Sequence, residues 1–257
     1  MPSDRDDYDS PWKDVLEHHF LAFIAFYFPA AAVAINWSCG YDFLDSELQK
    51  VVQDAELGRR VADKLVRVTL RGGDEAWIYI HIEIQGRREA TFAERMFVYN
   101  YRLYDRYRKP VASLAVLADD DAGWRPSSFG FDVMGCQHVL TFPTVKLLDW
   151  GGREDDLLLQ DDPFALITAA HLLTRATRHD MPSRYVAKWK VVRLLYEHGW
   201  DRQRVIDLFA VIDWMMRLPG DLDQQLWQNI RAFEARGTMR YVTSVERFCI
   251  EEGLQQG

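Results

Sequence analysis

The fold is decided by the segment Ala76-Trp77-Ile78-Tyr79-Ile80-His81-Ile82-Glu83-Ile84-Gln85. Isoleucine fills the even positions from 78 to 84, and aromatic or polar residues fill the odd ones. Strict alternation of this kind predicts a β-strand.

A second strand precedes this one across a Gly72-Gly73 turn. Its apolar residues occupy even positions, whereas Asp63 and Arg67 occupy odd ones; the apolar set is Val66, Val68 and Leu70. The two strands and their turn therefore predict a β-hairpin over residues 60–85.

The hydrophobic pattern also predicts the register of this hairpin. Two apolar rows share a face only if the turn keeps odd positions opposite odd ones, which a two-residue turn does not do. A three-residue loop sets Val68 opposite Ile78 and Asp63 opposite Glu83. A β-bulge in either strand is the alternative that would break this relation.

Asp63 and Glu83 form a candidate metal site in that register. Neighbouring carboxylates repel each other unless a cation lies between them, and Mg²⁺ takes oxygen ligands. The alternative is that Asp63 ends its strand as a turn residue and Glu83 faces solvent.

A helix with a basic face follows the hairpin. Thr91-Phe92-Ala93-Glu94 is a capping box, which predicts a helix from Phe92 to about Arg108. One face of it carries Arg95, Tyr99, Arg102 and Arg106. Such a face could hold DNA phosphates near the metal, and its alternative is a solvated arginine face with tyrosines packed at the margins.

Charge is distributed unevenly along the chain. The 257 residues carry a net charge of −8, which argues against a general polyanion-binding surface. Between Glu56 and Pro110, however, twelve Lys or Arg residues oppose eight Asp or Glu residues, a local excess of four positive charges. Any contact with nucleic acid is therefore expected in this middle segment.

The three cysteines give no metal or disulfide pattern. Cys39, Cys136 and Cys249 are far apart and odd in number, so we expect three reduced, buried thiols in a cytoplasmic protein. The start of the chain is charged, which does not suggest a signal peptide. The apolar run from Phe20 to Phe28 is too short to span a membrane before Pro29 and predicts a buried helix.

The remaining pattern divides the chain into an α/β part, residues 1–150, and a helical part, residues 151–257. In the first part we expect a helix from about Trp12 to Tyr27 and a buried strand over Val111–Ala118. A solvated acidic turn at 119–121 and a strand over His138–Leu148 complete it, and Leu44–Val52 suits either a helix or an edge strand. The second part predicts five helices: Pro163 to about Arg178, Arg184–His198, Asp201–Leu218, Asp221 to about Arg236, and Thr243–Glu252.

The order of these elements resembles the PD-(D/E)xK nuclease core, in which a strand with Asp and a strand with Glu-x-Lys follow a helix. Several short segments are similar to one branch of that superfamily, the transposase-like Rpn recombination-promoting nucleases. They are residues 9–13, 43–48, 62–66, 81–85, 92–97, 99–102, 142–148, 162–165 and 213–216.

The resemblance implies a restriction-endonuclease-like α/β (α+β) core, with a mixed sheet flanked by helices and an all-helical C-terminal region. It also implies a Mg²⁺-dependent DNA endonuclease acting in recombination or DNA mobility. Asp63 and Glu83 would bind the metal, and Gln85 would occupy the position of the usual lysine. Neutral Gln can orient a water molecule but cannot offset charge, so Arg95 or Arg102 is the candidate source of positive charge.

Several questions stay open on sequence alone. The helix-borne acid of such nucleases would be Glu17 or Glu47. The alternative function is a catalytically inactive, nuclease-derived module that binds DNA or protein through its C-terminal helices. DNA is the expected partner, a membrane is not, and self-association is undecided.

Overall fold

A computed structural model describes residues 10–53, 64–83 and 90–235. The chain divides into two compact units, Met1–Asp149 and Trp150–Gly257. Each unit is described separately.

The N-terminal unit combines helices with two sheets. Its helices are α1 (Ser10–His18), α2 (Phe20–Tyr27), α3 (Pro29–Ala34), α4 (Asp45–Gln53) and α5 (Phe92–Tyr107). Its strands are β1 (Tyr41–Phe43), β2 (Lys64–Thr69), β3 (Glu75–Glu83), β4 (Val111–Leu117), β5 (Ser128–Val133), β6 (Cys136–Thr141) and β7 (Thr144–Lys146).

The larger sheet has five strands in the order β1-β2-β3-β4-β7. β1, β2 and β3 pair antiparallel, whereas β4 is parallel to both β3 and β7. The predicted mixed sheet flanked by helices is therefore confirmed. β3, the strand with the isoleucine row, lies at its centre.

The predicted register of the β2–β3 hairpin is wrong by two residues. Val68 pairs with Ala76, and Ile78 pairs with Val66. The connection begins one residue earlier than expected, because the Leu70 N–H donates to the Asp74 carbonyl at 2.8 Å and leaves residues 71–73 as the three-residue loop. Odd positions still oppose odd ones, so a shift of two keeps both apolar rows on their faces.

Helix α5 covers one face of this sheet. Leu65, Trp77, Ala115 and Leu117 from three neighbouring strands form one buried cluster with residues of α5. The contributing residues of the helix are Phe92, Met96, Tyr99 and Leu103. Even-numbered residues of the same strands, including Val66, Ile78 and Leu114, are buried too. Both faces of the sheet are therefore covered, as is usual where parallel strands occur.

The first predicted helix is divided into two. α1 ends at His18, and α2 begins at Phe20 and buries Phe20, Phe23, Ile24 and Tyr27. The prediction of a buried helix in the apolar run is thus confirmed. Pro29, expected to follow the end of a helix, is itself the first residue of α3. Proline is tolerated there because the N–H that it lacks has no partner within the helix at this position.

The structure decides two further predictions, at residues 44–52 and 138–148. Residues 45–53 form α4 and not an edge strand. The predicted strand over His138–Leu148 is wrong, because β6 ends at Thr141 and β7 is a separate short strand. β6 pairs instead with β5 in a two-stranded antiparallel hairpin that the sequence pattern did not predict.

The C-terminal unit is helical in its described part, as predicted. It contains α6 (Glu154–Leu158), α7 (Pro163–Ala176), α8 (Met181–Glu197), α9 (Arg202–Met215) and α10 (Gly220–Ala235). Asp162, Asp180 and Asp201 each accept a hydrogen bond from a backbone N–H of the first turn of α7, α8 and α9. The fifth predicted helix, at 243–252, lies outside the described residues.

The thiol prediction fails at two of the three positions. Cys39 and Cys136 are exposed free cysteines, and Cys249 lies outside the described residues. Within the described ranges, no helix has the length and apolar character needed to cross a membrane.

Candidate active site at the end of the central strand

Helix α5 runs opposite in direction to β3 and β4. The rings of Trp77, at the start of β3, and Tyr107, at the end of α5, have centroids 4.8 Å apart. In the middle of the helix, the Asn100 side chain donates to the Val111 carbonyl and the Ser113 hydroxyl of β4, both at 2.9 Å. The first turn of α5 therefore lies near the carboxyl ends of these two parallel strands.

Glu83 is the last residue of β3 and pairs with Leu117 at the end of β4. Leu117 in turn pairs with Lys146 of β7. Asp63 and Gln85, the other two predicted catalytic residues, lie outside the described residues, as does the side chain of Glu83. Among the described residues, no group of three His, Cys, Asp or Glu side chains could hold a metal ion.

The predicted DNA-binding face of α5 is not uniformly exposed. Arg95 and Tyr99 are buried, whereas Arg102 is partly exposed and Arg106 is exposed. Tyr99 belongs to the core cluster under the helix, and the Arg95 guanidinium carbon lies 5.5 Å from the centroid of the Phe92 ring. Of these four side chains, Arg102 and Arg106 are the ones at least partly exposed at the surface of the helix, so they are the candidates for contacts along a DNA backbone.

Arg95 lies in the first turn of α5, where the helix meets the strand ends. Phe92, the first residue of the same turn, has its ring centroid 5.3 Å from that of Trp124 and 6.2 Å from that of Phe142. Arg95 itself is buried against the Phe92 ring, so its charge lies in a region of lower dielectric constant than water, where charges interact more strongly.

A buried ion pair lies at the same edge of the sheet, and the sequence pattern did not predict it. Lys146 Nζ is 2.8 Å and 2.7 Å from the two carboxylate oxygens of Asp119, and it donates to the Trp124 carbonyl at 3.0 Å. The expectation that Asp119 belongs to a solvated turn is therefore wrong. All three ammonium hydrogens of Lys146 have acceptors, so this lysine is not a spare charge that replaces the one missing at Gln85.

The two candidates for the helix-borne acid have different surroundings. Glu17 accepts a hydrogen bond from Lys64 Nζ, which is also 2.7 Å from Asp45 Oδ2. Glu47 accepts from the Ser46 hydroxyl at 2.7 Å, and no salt bridge to it is formed by the described residues. Glu17 is thus already neutralised by a lysine, whereas Glu47 forms no salt bridge with any described residue.

The pKa values of these groups follow from their contacts. Burial alone lowers the pKa of Lys64, but the hydrogen bonds and charges of Asp45 and Glu17 outweigh it and raise the pKa above its usual value. The Ser46 hydroxyl lowers the pKa of Glu47 below its usual value. The ammonium group of Lys64 and the carboxylate of Glu47 are therefore charged at neutral pH.

The described geometry brings three features of the candidate site together. It places the end of the glutamate-bearing strand, a buried guanidinium group and the start of a helix at one edge of the sheet. Such an edge, at the carboxyl ends of parallel strands, is where open α/β sheets bind ligands.

Comparison with known proteins gives a family match over the first part of the chain. Residues 8–117 match the model of a family described as "putative transposase, YhgA-like". No curated protein and no solved structure matches the chain significantly. The resemblance inferred from the sequence is confirmed over this segment, which runs from α1 to the end of β4 and is similar to the YhgA-like transposase family.

Proposed function

We propose that this protein is a Mg²⁺-dependent DNA endonuclease acting in recombination or DNA mobility. The family match supports a role in DNA mobility, and the hydrolytic activity is the further step of the proposal. The observation that carries this step is the placement of Glu83 at the end of the central strand, at the edge where Arg95 is buried in the first turn of α5.

In this proposal the carboxylates of Asp63 and Glu83, with the Ile84 carbonyl, bind one or two Mg²⁺ ions. Oxygen ligands of this kind suit a hard cation. Bound Mg²⁺ would polarise the phosphodiester and lower the pKa of a coordinated water molecule. Gln85 would orient that water, a role that an uncharged amide can fulfil.

Arg95 supplies the charge that Gln85 lacks. A buried guanidinium group stays protonated and needs no reorganisation as negative charge develops on the phosphate. Arg102 and Arg106, on the more exposed part of α5, contact the DNA backbone and position it. The helix therefore divides its arginines between chemistry and binding.

The test is cleavage of supercoiled plasmid DNA by the full chain, with Mg²⁺ or with EDTA. We expect nicking in Mg²⁺, none in EDTA, and loss of nicking in Asp63→Ala. Asp74→Ala is the matched control, because Asp74 is an exposed carboxylate in the same hairpin. Equal cleavage by Asp63→Ala and wild type would remove the assignment. Salt-sensitive binding that survives Glu83→Ala, with no metal-dependent cleavage, would favour the inactive DNA-binding module.

A second experiment separates the arginines. Arg95→Lys should lower the cleavage rate of bound DNA, since lysine lacks the planar guanidinium fork. Arg102→Gln should weaken DNA binding and reduce its salt dependence, with little change in the rate once DNA is saturating. Equal effects of both substitutions on binding alone would contradict the division.

A further inference from the structure

The β5–β6 hairpin has one apolar face and one polar face. Phe131 pairs with His138 and Val133 pairs with Cys136, so these four side chains share one face. Asp132 and its neighbours on the opposite face are polar, apart from Val139. A two-stranded ribbon with this pattern is stable only when its apolar face is covered.

Helix α5 covers that apolar face as far as Phe131, whose ring centroid lies 6.1 Å from that of Phe97. The Phe97 ring centroid lies 5.3 Å from that of Phe129 and 4.6 Å from that of His138. Towards the tip, Phe131 and Val133 remain about half exposed. The apolar face of the hairpin therefore extends beyond the helix that supports it.

The tip of the hairpin combines an unfavourable backbone conformation with full exposure of an apolar side chain. Met134 and Gly135 have φ values of 57° and 81°, the left-handed pair of a type I′ turn. Asn, Asp or Gly is usual at the first of these positions. Met134 is instead 102% exposed, so no described residue of the N-terminal unit covers it.

Charge limits what can cover this face. Between Pro126 and Val145 the chain has one formally charged residue, Asp132, and it accepts a hydrogen bond from Gln137 Nε2 at 2.7 Å. A nucleic acid would require cationic side chains, which this segment lacks. Because the whole chain carries a net charge of −8, an almost uncharged surface is where two copies meet with least repulsion.

We infer that this surface is the contact through which two copies of the chain associate. The surface, here called the hairpin patch, consists of Phe131, Val133, Met134 and Cys136 with Tyr101 of α5, whose ring centroid lies 6.1 Å from that of His138. A symmetric pair uses the same patch on both copies, and an uncharged apolar patch is compatible with itself. The patch is smaller than the roughly twenty to thirty residues per side of a standard interface. The dimer is therefore expected to be weak and to dissociate on dilution.

Sedimentation velocity of the full chain between about 1 and 100 µM tests the inference in a range where interfaces of this size associate. Wild type should shift from monomer to dimer, and Met134→Asp should remain monomeric. Aspartate tolerates a positive φ, so the substitution does not strain the turn. Val33→Asp is the matched control, because Val33 is 67% exposed on α3, outside the patch.

Crosslinking gives an independent readout. In a Cys39→Ser, Cys249→Ser background, a short bismaleimide should join two copies through Cys136, and Met134→Asp should suppress the product. A wild type that stays monomeric throughout the range would overturn the inference, as would a Met134→Asp variant that dimerises like wild type. Neither assay contains DNA or Mg²⁺, so the result is independent of the proposed nuclease activity.

Discussion

Two lysines of the same sheet, Lys146 and Lys64, are both buried but have different partners. Lys146 is paired with one carboxylate, Asp119, and the two side chains are 1% and 0% exposed. Lys64 is paired with Glu17 and Asp45, whose side chains are 36% and 42% exposed. The difference teaches that burial of the cation alone does not fix the cost of breaking a pair. The cost depends on whether the carboxylate left behind can reach water.

The largest expected effect is at Lys146. Lys146→Met would leave the Asp119 carboxyl group buried, with neither water nor a cation beside it. We expect the free energy of unfolding to fall by about 3–5 kcal/mol. Hydrogen exchange of the β4 amides as a function of urea measures the stability of this unit. The double variant Lys146→Met, Asp119→Leu should recover most of the loss, because it removes both charges. A double variant as unstable as the single one would show that packing and not charge dominates.

A smaller effect is expected at Lys64. Lys64→Met should cost about 1–2 kcal/mol, because Glu17 and Asp45 remain partly hydrated. The pKa of Lys64 is raised in the folded state, so its stabilising contribution is complete below the usual lysine value of 10.5. It is lost as the pH rises through the higher folded-state value.

The free energies of unfolding of wild type and Lys64→Met should therefore differ by a constant amount from neutral pH to about 10. Above that pH the two values should converge. Stability measured at several pH values by the same exchange method tests this. A difference that disappeared near neutral pH would contradict the pairing of Lys64 with its two carboxylates. A cost equal to that of Lys146→Met would break the comparison itself.

The smallest effect is expected for an exposed pair of the same unit. Arg125 contacts both oxygens of Asp149, and hydrogen bonding to Arg125 lowers the pKa of Asp149. Both groups are largely hydrated, so Arg125→Ala should change stability little. Any difference in stability between Arg125→Ala and wild type is present above the usual carboxyl pKa. It is lost as the pH falls through the lowered pKa of Asp149. Acid titration of both proteins measures it, and a large loss at neutral pH would contradict the ranking.

Local pattern was sufficient wherever one short segment contains the whole signal. The isoleucine alternation predicted β3, and the capping box predicted the start of α5, although Thr91 forms no side-chain cap hydrogen bond. Asp162-Pro163 predicted the start of α7, where the aspartate cap is present. Each of these elements is determined by residues within one or two turns of one another.

Other features of the candidate site depend on contacts that no local pattern contains. The register of β2 on β3 could shift by two residues without moving any apolar side chain to the other face, so parity could not fix it. The register argument for pairing Asp63 with Glu83 therefore fails, and their roles rest on the family resemblance. On α5, helical spacing grouped Arg95 and Tyr99 with Arg102 and Arg106, but the first two lie under the helix.

The sequence by itself determined the mixed fold class, the central strand, α5 and the family resemblance, because each is a property of neighbouring residues. The tertiary structure alone decided which charges are buried and which apolar surface is left uncovered. Asp119 and Lys146 are 27 positions apart and meet only because β4 and β7 are parallel neighbours. Met134 is exposed at the tip of the hairpin, beyond Phe131, to which the contacts of Phe97 from α5 extend. Burial is a property of the assembled sheet and helices, and a segment read alone does not contain it.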